Sequence, residues 1–88
     1  MTHDEDRYFD PMIHDVMREL SNQLAGRYIA WEDQAGTDRE AKHWRAEWLR
    51  VRSEIRQVNP RSQAAIEAKT DELRRILREL PEYAPRFE

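Results

Sequence analysis

The 88-residue chain contains no cysteine, only two glycines, and only two lysines beside thirteen arginines. Without cysteine it can form no disulfide, no thiolate zinc site and no thiol nucleophile. The scarcity of glycine, and the lack of any Asn-Gly or Asp-Gly pair, argue against a domain built from β-hairpins. No apolar run approaches the ~20 residues that a helix needs to cross a membrane, so the sequence predicts no membrane-spanning helix.

Large apolar residues are also scarce, because leucine, isoleucine, valine and phenylalanine together make up 16 of 88 residues. Such poverty is common in disordered chains, but here the net charge is only −3. Alanine, glutamate, lysine, leucine and arginine make up 41 residues, a share typical of helix bundles and coiled coils. The composition predicts a single helical domain over residues 1–88. The acidic start, the reverse of a secretory leader, and the lack of cysteine predict a cytoplasmic protein.

Helix signals divide the chain into three segments, of which the first two are the longest. The first predicted helix, about 11–34, starts at Asp10-Pro11 and repeats apolar side chains every three or four residues. The second, about 38–58, opens with Thr37 and Glu40. Their spacing predicts a capping box, in which each side chain accepts the other residue's backbone N–H.

The third predicted helix, about 61–80, ends at Pro81. Short turns between the three helices favour an all-α, antiparallel three-helix bundle with coiled-coil-like packing. Flexible tails, 1–9 and 81–88, are expected to flank it. Gly26 lies inside the first helix, where its lack of a side chain is expected to permit close approach of another helix.

The second helix has the most regular pattern. Six apolar residues follow alternating steps of three and four and form a seam: Ala41, Trp44, Trp48, Val51, Ile55 and Val58. Glutamates flank this seam on one side and arginines on the other, which permits a parallel homodimer. Alternatively, the seam packs against other helices of the same chain, as the short turns favour. Two tryptophans one turn apart suit a small core, yet tryptophan is also enriched at binding hot spots.

A second row on the same helix is basic with an apolar centre and consists of Lys42, Arg45, Leu49, Arg52 and Arg56. Such a row is either a solvated flank, whose arginine stems cover the core, or a docking surface for an acidic protein or a phosphate group. The docking interpretation, joined to the aromatic hot-spot argument, predicts a protein interface of eight residues: Tyr28, Trp31, Lys42, Arg45, Trp48, Leu49, Arg52 and Arg56.

No arrangement of catalytic, cofactor-binding or metal-binding residues is apparent in the sequence. Glu40 and His43 have the Glu-x-x-His spacing of di-iron bundles, but those sites need two such motifs and two further glutamates. There is no nucleophile elbow and no Gly-rich phosphate loop. Three short helices also enclose little concave volume, so neither enzyme activity nor a cofactor is expected. The acidic net charge argues against nucleic-acid binding.

In size and three-helix plan the whole chain resembles the epsilon-like antitoxins that block zeta-type kinase toxins. The resemblance is architectural, rests on no sequence motif and transfers no functional residue. It implies a small helical interaction module, an inhibitor or antitoxin-type subunit that sterically covers the functional site of a partner protein such as a toxin. Two alternatives stay open: a homo-oligomeric coiled-coil structural or adaptor protein, and a nucleic-acid accessory factor that uses the arginine row.

Overall fold

The computed structural model describes residues 12–86, and three α-helices make up most of this part of the chain. Helix α1 spans Met12–Asp33, α2 spans Asp38–Gln57 and α3 spans Gln63–Glu79. The described range contains no β-strand. The all-α prediction is confirmed, and each described helix end lies within two residues of its predicted position. The Asp10-Pro11 start and the tail 1–9 lie outside the described residues.

Side-chain caps fix where α2 and α3 begin. The Thr37 hydroxyl accepts the Glu40 N–H at 3.1 Å, and the Ser62 hydroxyl accepts the N–H three residues further on at 3.1 Å. The predicted second bond of the capping box, from the Thr37 N–H to the Glu40 carboxylate, is wrong. This carboxylate instead accepts the Gly36 N–H at 3.4 Å. The other oxygen of this carboxylate accepts the Trp44 indole N–H at 3.2 Å. Glu40 therefore links the α1–α2 turn to the first buried residue of α2.

Helix α1 is the central helix of the bundle, because it packs against both α2 and α3, whereas α2 and α3 share far fewer contacts. Trp31 near the end of α1 meets Trp44 near the start of α2, so these two helices run antiparallel. Arg27 of α1 donates a hydrogen bond to the carbonyl of Pro81, just beyond the end of α3. Helix α3 therefore runs in the same direction as α1, and α2 runs in the opposite direction to both. This up-down-up arrangement confirms the predicted antiparallel three-helix bundle.

One apolar cluster forms the core and draws on all three helices: Met17, Leu24, Tyr28 and Trp31 of α1, Trp44 and Val51 of α2, and Ile66 and Leu73 of α3. The half-buried seam residues Trp48, Ile55 and Val58 pack against this cluster. The seam of α2 thus faces the same chain. Burial of this kind, at about 25 cal/mol per Å² of apolar surface, is the main stabilising contribution in a small domain.

Gly26 does not have the role expected from the sequence. It is exposed on α1, and among the described residues a Cβ atom added there would meet nothing within 4 Å. The expected close approach of another helix at Gly26 is therefore wrong within this chain. The glycine lies on the face of α1 turned away from the core.

Candidate protein-interaction surface

Helix α2 turns its seam toward α1 and its basic row toward solvent. All five members of the row, which we call the basic stripe, are exposed: Lys42, Arg45, Leu49, Arg52 and Arg56. Because they recur every three or four residues, they share one face of the helix. At ~1.5 Å per residue the basic stripe extends over about 21 Å. Its length and exposure make it available to a partner.

Leu49 is the apolar centre of the basic stripe and is 48% exposed. Within residues 12–86 the other large apolar residues at least this exposed are Met12 and Tyr83, which lie near the two ends of that range. Leu49 instead lies in the middle of a helix, with cationic side chains within one turn on both sides. A single exposed leucine is ordinary on a protein surface. An apolar centre with a polar rim is also the arrangement found in many protein interfaces.

One end of the basic stripe opens into a groove between α1 and α2, which we call the basic groove. It has a volume of about 210 Å³ and is lined by Arg18, Ser21 and Asn22 of α1 and by Arg52, Ile55 and Arg56 of α2. Within residues 12–86 none of these three arginines has an ion pair. Arg52 lies over the Trp48 ring, 5.2 Å from its centre, in a cation–π contact. The lining of the basic groove therefore carries three positive charges and no negative one.

Arg18 is the part of this surface that sequence patterns did not indicate. It precedes Arg52 by 34 residues and joins it only because α1 and α2 run antiparallel. The available signal was weak, since Arg18 and Asn22 are merely one turn apart on a polar flank of α1. A pairing register between two helices is needed to bring such residues together, and a single helical pattern does not contain it.

The opposite end of the basic stripe is close to neutral. Glu32 of α1 accepts a hydrogen bond from the Arg45 Nε at 3.1 Å and from the Trp48 indole N–H at 2.8 Å. Asp38 lines the same shallow depression as Lys42 and Arg45. The half-buried Trp48 is thus fixed from both sides, by Glu32 and by the packing of its ring on the core. On the basic stripe, the excess of positive over negative side chains among the described residues lies toward the basic groove.

The structure corrects the predicted interface at Tyr28 and Trp31, whose side chains are 7% and 4% exposed and belong to the core. Their rings meet edge to face at 5.8 Å, and both contact Trp44, at 5.8 and 4.8 Å between ring centres. Burial, and then the charge of Glu47, raise the pKa of Tyr28. Aromatic side chains at helical spacing suit a core as well as an interface, and here three of them form one cluster.

A charged network lies on another side of α2 and ties it to α3. Arg50 bonds Glu47 at 3.0 Å and Glu54 at 2.7 Å, while Lys69 of α3 bonds Glu54 and Glu72, both at 3.0 Å. The hydrogen bond from Lys69 holds the pKa of Glu54 below its ordinary value, with Arg50 adding to the effect against partial burial. Burial lowers the pKa of Lys69, but its bonds to Glu72 and Glu54 outweigh this and raise it. This network bridges the two helices that share the fewest contacts.

Replacing Glu54 by glutamine should lower the free energy of unfolding at neutral pH by about 0.5–1 kcal/mol, as for a partly exposed ion pair. Because the pKa of Glu54 is depressed in the folded chain, its contribution is complete above the ordinary carboxyl pKa and is lost as pH falls through the depressed value. Urea unfolding at several pH values should show the difference between wild type and E54Q vanishing in acid. The exposed Glu19 provides the matched E19Q control, and an E54Q effect that is unchanged at low pH would contradict the assignment.

Comparison with protein-family models, with curated proteins and with solved structures gave no match. None of the described helices is both long and apolar enough to cross a membrane. Over residues 12–86 no cluster of three or more histidine and carboxylate side chains is arranged to hold a metal ion.

Proposed function

We propose that this chain is a small helical protein–protein interaction module, an inhibitor or antitoxin-type subunit that sterically covers the functional site of a partner protein. The observation that supports this most directly is Leu49, half exposed at the centre of the basic stripe, on a bundle whose core is complete without it. A preformed helical surface loses little conformational freedom on binding, which favours affinity.

Two features favour a different protein as the partner. The net charge of −3 opposes binding to nucleic acid, whose affinity for proteins depends on phosphate contacts with a basic surface. The seam that a parallel coiled-coil dimer would use packs against α1 of the same chain.

The lack of cysteine supports a cytoplasmic site of action.

A photo-cross-linking amino acid in place of Leu49 tests the proposal in the native host. The captured protein, identified by mass spectrometry, is then purified and its own activity titrated with the wild-type chain. We expect inhibition that is complete at one chain per partner molecule. The Leu49→Asp variant should weaken inhibition by at least about tenfold, because a central apolar contact is lost and a carboxylate is desolvated.

Tyr83 supplies the matched control, since it is 76% exposed and lies outside the basic stripe. A cross-linker at Tyr83 should not capture the same protein, and Tyr83→Asp should leave inhibition within about twofold of wild type. Far-UV circular dichroism should show that both variants keep the helical content of wild type. A captured partner whose activity is unaffected by the chain would contradict the inhibitor proposal.

A further inference from the structure

The basic groove is lined by positively charged side chains and by no acidic one. None of its three arginines, Arg18, Arg52 and Arg56, has an ion pair inside the described chain. By contrast, two other arginines of α2 are paired: Arg45 with one glutamate and Arg50 with two. Guanidinium groups held close together repel one another, and carboxylates entering the groove relieve that repulsion. Arginine also binds carboxylates through two parallel N–H donors, which fixes their orientation.

We propose that the partner presents an acidic amphipathic helix to this surface, with an apolar side chain against Leu49 and carboxylates against the three arginines of the basic groove. This inference rests on the proposed function and names the chemistry of the partner. A helix fits because its side chains recur at the spacing of the basic stripe, so that its ridge can lie along the valley between α1 and α2.

The positions along α2 define the complementary pattern. Measured along the helix axis, Arg52 lies about 4.5 Å and Arg56 about 10.5 Å beyond Leu49. A partner helix lying along α2 matches this when acidic residues occur three or four and seven positions from its apolar residue, on one side of it only. Arg18 approaches the same carboxylates from α1, and Arg52 is already held over the Trp48 ring.

The near-neutral end of the basic stripe favours a helix over a nucleic acid. A sugar–phosphate backbone would follow the whole stripe, but Glu32 and Asp38 lie at that end beside Lys42 and Arg45. Their carboxylates repel phosphates at the position where a polyanion needs further contacts. A helix with acidic residues on one side of its apolar anchor meets no such repulsion.

A second copy of this chain is the competing occupant of the basic groove. Its α1 has the required spacing at Met12, Asp15 and Glu19, and both acidic residues are exposed on the helix. Docking of α1 into the basic groove of another copy joins two different surfaces. Reciprocal docking of this kind gives a two-fold dimer, and one-way docking gives rings or open chains of molecules. A mass that grows with concentration is therefore the mark of this alternative.

Two synthetic helical peptides of about 20 residues test the proposal. Each has a central leucine with glutamates three, four and seven positions away, toward the C-terminus in one peptide and toward the N-terminus in the other, since a helix can lie in either direction. Binding of the fluorescently labelled peptides to the full chain is measured by anisotropy. We expect one of the two to bind, and its affinity to fall as salt is raised from ~50 to ~300 mM.

Charge reversal on the protein separates a specific site from net charge. The double variant R52E/R56E should weaken peptide binding at least about tenfold, because paired charges are lost. The matched double variant R75E/R78E changes the net charge equally on α3, where neither arginine has an ion pair in the described chain and Arg78, like Arg56, lies in the last turn of its helix. It should bind within about twofold of wild type. A peptide with lysine in place of the three glutamates should bind R52E/R56E and not wild type.

Several outcomes would overturn the acidic-helix inference: neither peptide binds, both double variants weaken binding equally, a DNA duplex binds more tightly than either peptide, or scattering mass rises with concentration. These outcomes are distinct from failure of the proposed function. A chain that inhibits its captured partner but binds neither peptide keeps the inhibitor role and loses the acidic helix. A chain that binds the acidic peptide but inhibits no captured partner keeps the acidic-helix inference and loses the inhibitor role.

Discussion

Replacement of Trp44 by alanine should lower the free energy of unfolding by about 3–5 kcal/mol, the range for deletion of a buried aromatic side chain. Trp44 is 6% exposed, packs on Tyr28 and Trp31, and donates its indole N–H to Glu40. The cavity would lie between α1 and α2 at their shared turn. Because small domains are stable by only about 5–15 kcal/mol, a large part of the total would be lost.

Urea unfolding followed by far-UV circular dichroism measures this effect. Leu49→Ala is the control on the same helix, because Leu49 is half exposed and its truncation should change stability by only about 0.5 kcal/mol. An unfolding midpoint for Trp44→Ala as high as that of Leu49→Ala would show that the aromatic cluster does not hold the bundle together.

Replacement of Ile66 by alanine should cost about 2–5 kcal/mol, the range for a fully buried aliphatic side chain. Ile66 has no exposed surface and is one of two α3 residues in the buried core cluster, the other being Leu73. Since α3 packs mainly on α1, few other contacts can compensate for the loss. Denaturant unfolding gives the value, and Ile76→Ala, at a half-buried position on the same helix, should cost less. Equal losses at the two positions would contradict the observed packing of α3.

Helix positions could be predicted closely because their signals are local. Thr37 caps α2 as expected, Ser62 caps α3, and Pro81 follows its end. These groups act on backbone atoms within a few residues, so the sequence alone contains the relevant geometry. The basic stripe was predictable for the same reason, since it repeats on one face of a single helix.

Features that depend on how helices meet could not be predicted in this way. Helical spacing predicts an interface at Tyr28 and Trp31 because it indicates a shared face but not what covers that face. No pattern in the sequence indicates Arg18, because its neighbours in the basic groove come largely from another helix. The sequence predicts a helix contact at Gly26, but which side of α1 faces α2 and α3 depends on how the three helices pack. In each case the missing information was the register between helices.

The placement of the tryptophans on two of the three helices has a spectroscopic consequence. All three tryptophans of the chain, Trp31, Trp44 and Trp48, lie on α1 and α2, and none lies on α3. Tryptophan emission therefore reports the α1–α2 hairpin, while far-UV circular dichroism reports all three helices. If α3 detaches before the hairpin melts, the two signals will give different unfolding midpoints. If the bundle unfolds as a single cooperative unit, they will coincide.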